Sequence, residues 1–294
     1  MTVRKNIHHY YCYATCFEWK DILVNLNKFS FVSVFCLFLA GCNTGIKEFE
    51  LYSTAFALQN ETAQQILDKV AHAERWHWSQ LDGGGSGFSP DQAAYYVNAG
   101  DPPYTDSMRL TLKALEAYNA ALIGLTNGQA VEAIRGKVST IVTNIDTATS
   151  ILAAGRFAPS QEIVSAVLPT ASDLATANTI FKTIANSAAK DSFRKQLARA
   201  YPSMKKVLLT FRNGSDDLYF AVVSVRGVTK EQRLKDRELF ASWVLLIDDT
   251  LETMETAVIA VQSNMLPADI DALAEQSVEL RILAEKLKAA RNRQ

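Results

Sequence analysis

Beyond position 42 this 294-residue chain has no cysteine, for Cys12, Cys16, Cys36 and Cys42 are the whole complement. Residues 43–294 therefore hold no disulfide, no thiolate metal site and no cysteine nucleophile. Histidine is nearly as scarce: of four, only His72 and His77 lie beyond position 9. An excess of one charge sign is missing too. Thirty basic residues face 31 acidic ones, a formal net charge of −1. A nucleic-acid surface wants a basic excess, which this chain does not supply. No apolar run approaches the roughly 20 residues of a membrane-spanning helix. Neither Gly-x-Ser-x-Gly nor His-Glu-x-x-His occurs. Gly83-Gly84-Gly85-Ser86-Gly87 follows a helical pattern and contains no lysine, so it reads as a flexible loop and not as a phosphate cradle.

What the chain has, first, is a short apolar run. Phe29 to Leu39 follows Lys28 and leads into Leu39-Ala40-Gly41-Cys42. A secretory signal needs a positive n-region, an apolar h-region of roughly 7–15 residues and small residues at the cleavage site. The segment has all three and is too short to span a bilayer. The four residues ending in Cys42 resemble the lipobox of bacterial lipoproteins.

That resemblance implies cleavage before Cys42, a diacylglycerol on its sulfur and usually an acyl chain on the new amino group. It also implies a lipid-anchored protein in the envelope of a Gram-negative bacterium, facing the periplasm. Asn43 is not the Asp that retains enteric lipoproteins in the inner membrane, so the outer membrane is the expected address. Residues 1–28 are long for an n-region and carry Glu18, Trp19 and Asp21. A start at a codon read here as Val24 or Leu26 would remove them. Residues 1–41 are set aside as a signal region, and 42–294 as the folded body. Without the four basic and two acidic residues of 1–41, 26 basic and 29 acidic residues remain, a net charge near −3.

The body reads as helical almost throughout. Val131, Ile134, Val138, Ile141, Ile145, Ala148 and Leu152 alternate steps of three and four. So do Phe240, Val244, Ile247, Leu251, Met254, Val258 and Val261, and again Ile270, Leu273, Ser277, Leu280, Ala284 and Leu287. Each set is one apolar stripe on a helix. Steps averaging about 3.5 residues suit left-handed, coiled-coil-like packing. The expectation is an all-α, elongated up-and-down bundle of about six or seven helices.

Punctuation places the helices. One runs from about Ile46 to Leu81, and a Gly-rich irregular loop follows over 82–104, with a short helix after Ser89-Pro90. Thr105 or Asp106 is expected to cap the next helix, ending near Asn127-Gly128. Further helices are expected from Gln129 to Ala154, from about Thr170 to Ala200, from a Thr229 cap to about Ser263, and from Pro267 onward. Residues 203–226 are ambiguous. Asn213-Gly214 is a hairpin signal, yet Met204, Val207, Leu208, Phe211, Ser215, Leu218, Val222 and Val225 keep a helical spacing, which is preferred.

Three features are candidates for function. Glu74 and His77 form Glu-x-x-His, a pair on one helix face that di-iron bundles use twice. With no histidine on a second helix, only a single-His metal site remains, against the plainer reading of a half-buried His77 between Trp76 and Trp78. Phe88, Tyr95, Tyr96 and Tyr104 lie in the long loop and are candidates for touching a partner, since such loops are often functional. Otherwise they cover the end of the core. An acidic face (Asp248, Asp249, Glu252, Glu255) and a basic stretch (Lys190, Arg194, Lys195, Arg199, Lys205, Lys206, Arg212) read first as solvated surfaces able to pair with each other, and second as a docking surface or anionic-lipid contact.

The leading expectation is a non-enzymatic binding or scaffold module, held to the membrane by lipid and engaging another envelope protein or a small ligand, with no cofactor. The alternatives are an immunity or exclusion lipoprotein against a toxin or phage, and an enzyme using carboxylates or the Glu74/His77 pair.

Overall fold

The computed structural model describes residues 46–81, 87–154, 171–187 and 189–291. The signal region, Cys42, the glycines at 83–85 and the segment around Pro159 and Pro169 lie outside these residues. Within the described residues every regular element is a helix, as the stripes predict.

Helix α1 spans Ile46–Leu81 without a break. A 3₁₀ turn at Pro90–Gln92 and a four-residue α2, Ala93–Tyr96, follow. Next come α3, Pro103–Thr126, and α4, Val131–Ala153. Then come α5, Ala171–Ala185, α6, Lys190–Arg199, α7, Tyr201–Asn213, and α8, Ser215–Val223. The long α9, Lys230–Gln262, and α10, Pro267–Arg291, complete the order. Short turns make α3 and α4, and α9 and α10, antiparallel neighbours. Helix α1 packs on α3, α9 and α10, while α4 lies between α3 and α5.

The predicted stripes are the buried faces. On α4, Ile134, Val138, Ile141, Ile145 and Ala148 are buried; on α10, Ile270, Leu273, Ser277, Leu280 and Ala284 are. Helix α9 is covered more widely than a single stripe. Trp243 and Leu246 are buried beside Phe240 and Ile247, whereas Val244 is only half-buried. Helix α1 contributes Phe49, Tyr52, Phe56, Ala63, Ile66, Leu67, Val70 and Ala73. Buried phenols cross-link the helices: Tyr52 donates to Asn119 at 2.7 Å, and Tyr118 to the Leu197 carbonyl at 3.1 Å.

Local chemistry sets the ends. Thr229 caps α9 as expected, its hydroxyl accepting from the Gln232 N–H at 3.1 Å. At the end of α3, Gly128 takes φ +67°, Gln129 N–H reaches the Gly124 carbonyl at 3.0 Å and Gly128 N–H the Leu125 carbonyl at 3.4 Å. That is a Schellman ending, in which a left-handed glycine turns the chain. A Cβ on Gly124 would lie 2.8 Å from the Gln129 Oε1 in the turn and 3.3 Å from Ile134 Cγ1 of α4.

Two expectations need correction. The helix expected over 170–200 is divided after Ala185. Leu174, Ala177, Phe181 and Ile184 face the core in α5, and Phe193 and Leu197 in α6. One continuous helix would carry the row from Ile184 on to Asp191 and Lys195; the break resets the register so that Phe193 turns inward instead. The cap of α3 is also not Thr105 or Asp106, because the helix begins at Pro103. The ambiguous segment is helical. Gly214 has φ −90°, outside the left-handed region that an Asn-Gly hairpin requires, and Met204, Val207, Leu208, Phe211, Leu218 and Val222 are buried.

Candidate functional site

The α3 cap is Glu74, about two turns before the end of α1. Its Oε1 accepts from the Tyr104 N–H at 3.0 Å and its Oε2 from the Thr105 N–H at 2.9 Å. These are two of the first free N–H groups of α3. The Thr105 hydroxyl donates to Oε2 at 2.9 Å and the Tyr95 hydroxyl to Oε1 at 3.1 Å. Four donors thus converge on a carboxylate that is 2% exposed. Burial pushes its carboxyl above the usual range, and the four hydrogen bonds pull the other way. Both oxygens are committed, so Glu74 joins two helices and presents no free lone pair of its own to a metal.

His77 turns elsewhere. Its Nε2 lies 3.1 Å from the Ala221 carbonyl and 3.4 Å from the Ser224 hydroxyl, at the end of α8. Trp76 meets the imidazole edge-on at 4.8 Å. The Glu-x-x-His pair therefore does not converge, and among the described residues no group of three His, Cys, Asp or Glu side chains could hold a metal ion.

The four loop aromatics split into two roles. Tyr104 and Tyr95 are buried; Tyr104 belongs to α3, and Tyr95 anchors to Glu74. Neither offers the exposed surface expected of it. Phe88 and Tyr96 do, at 74% and 37% exposure. Trp78 organises the cluster. It stacks on Tyr95 at 5.0 Å and 10°, and meets Tyr96 edge-on at 5.0 Å, while Phe88 tilts onto Tyr96 at 5.5 Å. Arg75 fastens the loop by donating to the Ala94 carbonyl at 3.2 Å and to the Gly100 carbonyl. With Leu81 and Val97 also exposed, the C-terminal end of α1 carries an apolar surface on a fixed aromatic platform.

The charged faces pair in part with each other. Arg212 binds Asp248 at 2.9 Å and Lys205 binds Glu255 at 2.7 Å, joining α7 to α9.

A cleft of about 620 Å³ between α1, α8 and the start of α9 was not anticipated from the sequence. Asp68, Lys69, His72, Val222, Val225 and Asp236 are among its lining residues. The carboxylate of Asp236 is buried and pairs with Lys69 at 2.8 Å. A signal did exist. Asp236 stands three, four and seven residues before Leu239, Phe240 and Trp243, all of them buried, so a charge occupies the core row of α9.

Comparison with protein-family models, with curated proteins and with solved structures finds no match to the chain.

Proposed function

We propose that the protein is a lipid-anchored binding module of a bacterial cell envelope, engaging another envelope protein through the aromatic end of α1. The observation that carries the binding role is the Phe88–Tyr96 surface. Aromatics are favoured where partners dock, and here Tyr96 rests on Trp78 and Phe88 rests on Tyr96 instead of hanging on a loose loop. The anchor rests on the lipobox-like residues ending in Cys42, and Asn43 favours the outer membrane. Three residues separate Cys42 from α1. The aromatic surface lies at the other end of that 36-residue helix, about 54 Å along its axis. Among the described residues no helix is long and apolar enough to cross a membrane, so retention there depends on lipid.

Cys42→Ser is expected to move the protein from the membrane to the soluble fraction, since two acyl signals are what make lipid anchoring stable. Fractionation of cells expressing each form measures this, and unchanged membrane retention defeats the anchor. For the surface, a photo-crosslinker placed at Val97 is expected to trap one dominant envelope protein. Phe88→Ser combined with Tyr96→Ser is expected to reduce that adduct by about tenfold, the loss of a moderate hot spot. An undiminished adduct would remove the aromatic surface from the proposal and leave the anchor standing.

A further inference from the structure

The cleft beside Asp236 carries an inference independent of the aromatic surface. A carboxylate in the core row of a helix is costly unless its charge and lone pairs are met. Asp236 is met on one side only. Lys69 Nζ reaches Oδ1 at 2.8 Å, and Gln232 Nε2 reaches the same Oδ1 at 2.9 Å. Among the described residues no donor reaches Oδ2. A buried carboxylate whose two protein donors share one oxygen leaves the other to accept from something else.

The surroundings decide what that is. Asp68, the residue before Lys69 on α1, also lines the cleft. Its counter-ion Arg109, at 3.0 Å, is shared with Asp101 at 2.6 Å. The charged lining of the cleft is thus two carboxylates, Asp68 and Asp236, against one lysine, Lys69. Val222, Val225 and Val228 supply apolar lining to the same cleft. The ligating side chains do not converge as a metal site among the described residues. The volume falls within the range of roughly 300–1,000 Å³ typical of small-molecule sites.

We propose that this cleft binds a small amphipathic amine, its ammonium donating to Asp236 Oδ2 and its alkyl body lying against Val222, Val225 and Val228. An anion would meet the open lone pairs of Oδ2 and be repelled. A neutral alcohol would use the valines and a single hydrogen bond, without the charge.

Calorimetric titration of the full chain with hexylammonium chloride, hexanol and sodium hexanoate tests the site. Hexylammonium is expected to saturate at one per chain and to bind about tenfold or more tightly than hexanol, the worth of a charge-assisted hydrogen bond. Hexanoate is expected not to bind. Asp236→Asn keeps the shape and should weaken hexylammonium by about tenfold. Should that variant fail to fold, Val228→Lys tests the same point from the half-buried rim, by placing a cation in the cleft and abolishing amine binding. Absence of saturation by hexylammonium, equal binding of hexanol or hexanoate, or undiminished binding by a folded variant of either kind overturns the proposal.

Discussion

Glu74→Ala is expected to destabilise the fold by about 2–6 kcal/mol, the cost of leaving two buried N–H donors without an acceptor. The substitution strips the carboxylate from the Tyr104 and Thr105 N–H groups and the Tyr95 and Thr105 hydroxyls together. The hydroxyls can rotate toward other acceptors, but the two N–H groups at the buried start of α3 cannot. Each buried donor left unpaired costs about 1–3 kcal/mol. Glu74→Gln retains one oxygen acceptor and turns an NH₂ toward the remaining donors, so about 1–3 kcal/mol is expected for it. Glu116→Ala, on the exposed side of α3, should change stability by less than about 0.5 kcal/mol. Denaturant melts of the three variants measure this. The experiment also separates the roles considered for Glu74. A carboxylate kept for catalysis or metal binding is a burden on stability, and its removal is commonly neutral or stabilising. A loss below about 1 kcal/mol for Glu74→Ala, at the level of an ordinary cap, would return Glu74 to the functional candidates.

Glu74 also marks where sequence patterns stop being informative. Helix α1 could be bounded from its unbroken pattern, and Thr229 could be named as a cap because cap and capped N–H are three residues apart. The cap of α3 comes from 30 residues upstream, and no local rule reaches across that distance. Glu-x-x-His looked like a ligand pair because its spacing puts both side chains on one helix face. Sharing a face does not make two side chains share a neighbour: Glu74 meets α3, and His77 meets the end of α8. Tyr95 and Tyr104 follow the second of their two readings, covering the core, for a related reason. They lie in a stretch read as irregular, yet both are drawn into the structure that Glu74 organises. Phe88 and Tyr96 pack on each other and on Trp78 and remain exposed on their outer side.

The cleft was hidden differently. Asp236 interrupts the apolar row of α9, and an interrupted row is visible in the sequence. Its meaning depends on Lys69, more than 160 positions earlier, and on which oxygen of the carboxylate that lysine takes. The break after Ala185 shows the opposite case. Continuing the α5 row would have carried Asp191 and Lys195 inward, and that conflict was legible as soon as the row was extended. The paired surfaces behave as alternating charge ordinarily does: Arg212–Asp248 and Lys205–Glu255 are exposed contacts between α7 and α9, where such pairs contribute little.

Trp243→Ala is expected to give the other large loss, about 3–5 kcal/mol. Trp243 is among the largest fully buried side chains, and it packs on Phe211 at 6.0 Å and Phe240 at 6.5 Å. Truncation forfeits the transfer of the indole from water and leaves a cavity that the surrounding helices close only in part. The value tests the width of the buried face of α9. A narrow seam through Phe240, Val244, Ile247 and Leu251 would leave position 243 at its edge, and Trp243→Ala would then cost no more than Val244→Ala. A helix covered by α1, α7 and α10 together buries both 243 and 246. The ordering expected from denaturant midpoints is therefore Trp243→Ala worst and Leu251→Ala next, at about 2–5 kcal/mol. Glu252→Ala follows far behind, below about 0.5 kcal/mol, because Glu252 lies on the exposed side, where it accepts from Gln276 at 3.2 Å. Leu251 and Glu252 differ by one residue and about 100° around the axis. Equal losses at the two would mean that α9 is rotated from the face described. The acidic residues would then be part of the interior, and the pairing of α7 with α9 through Asp248 and Glu255 would not hold.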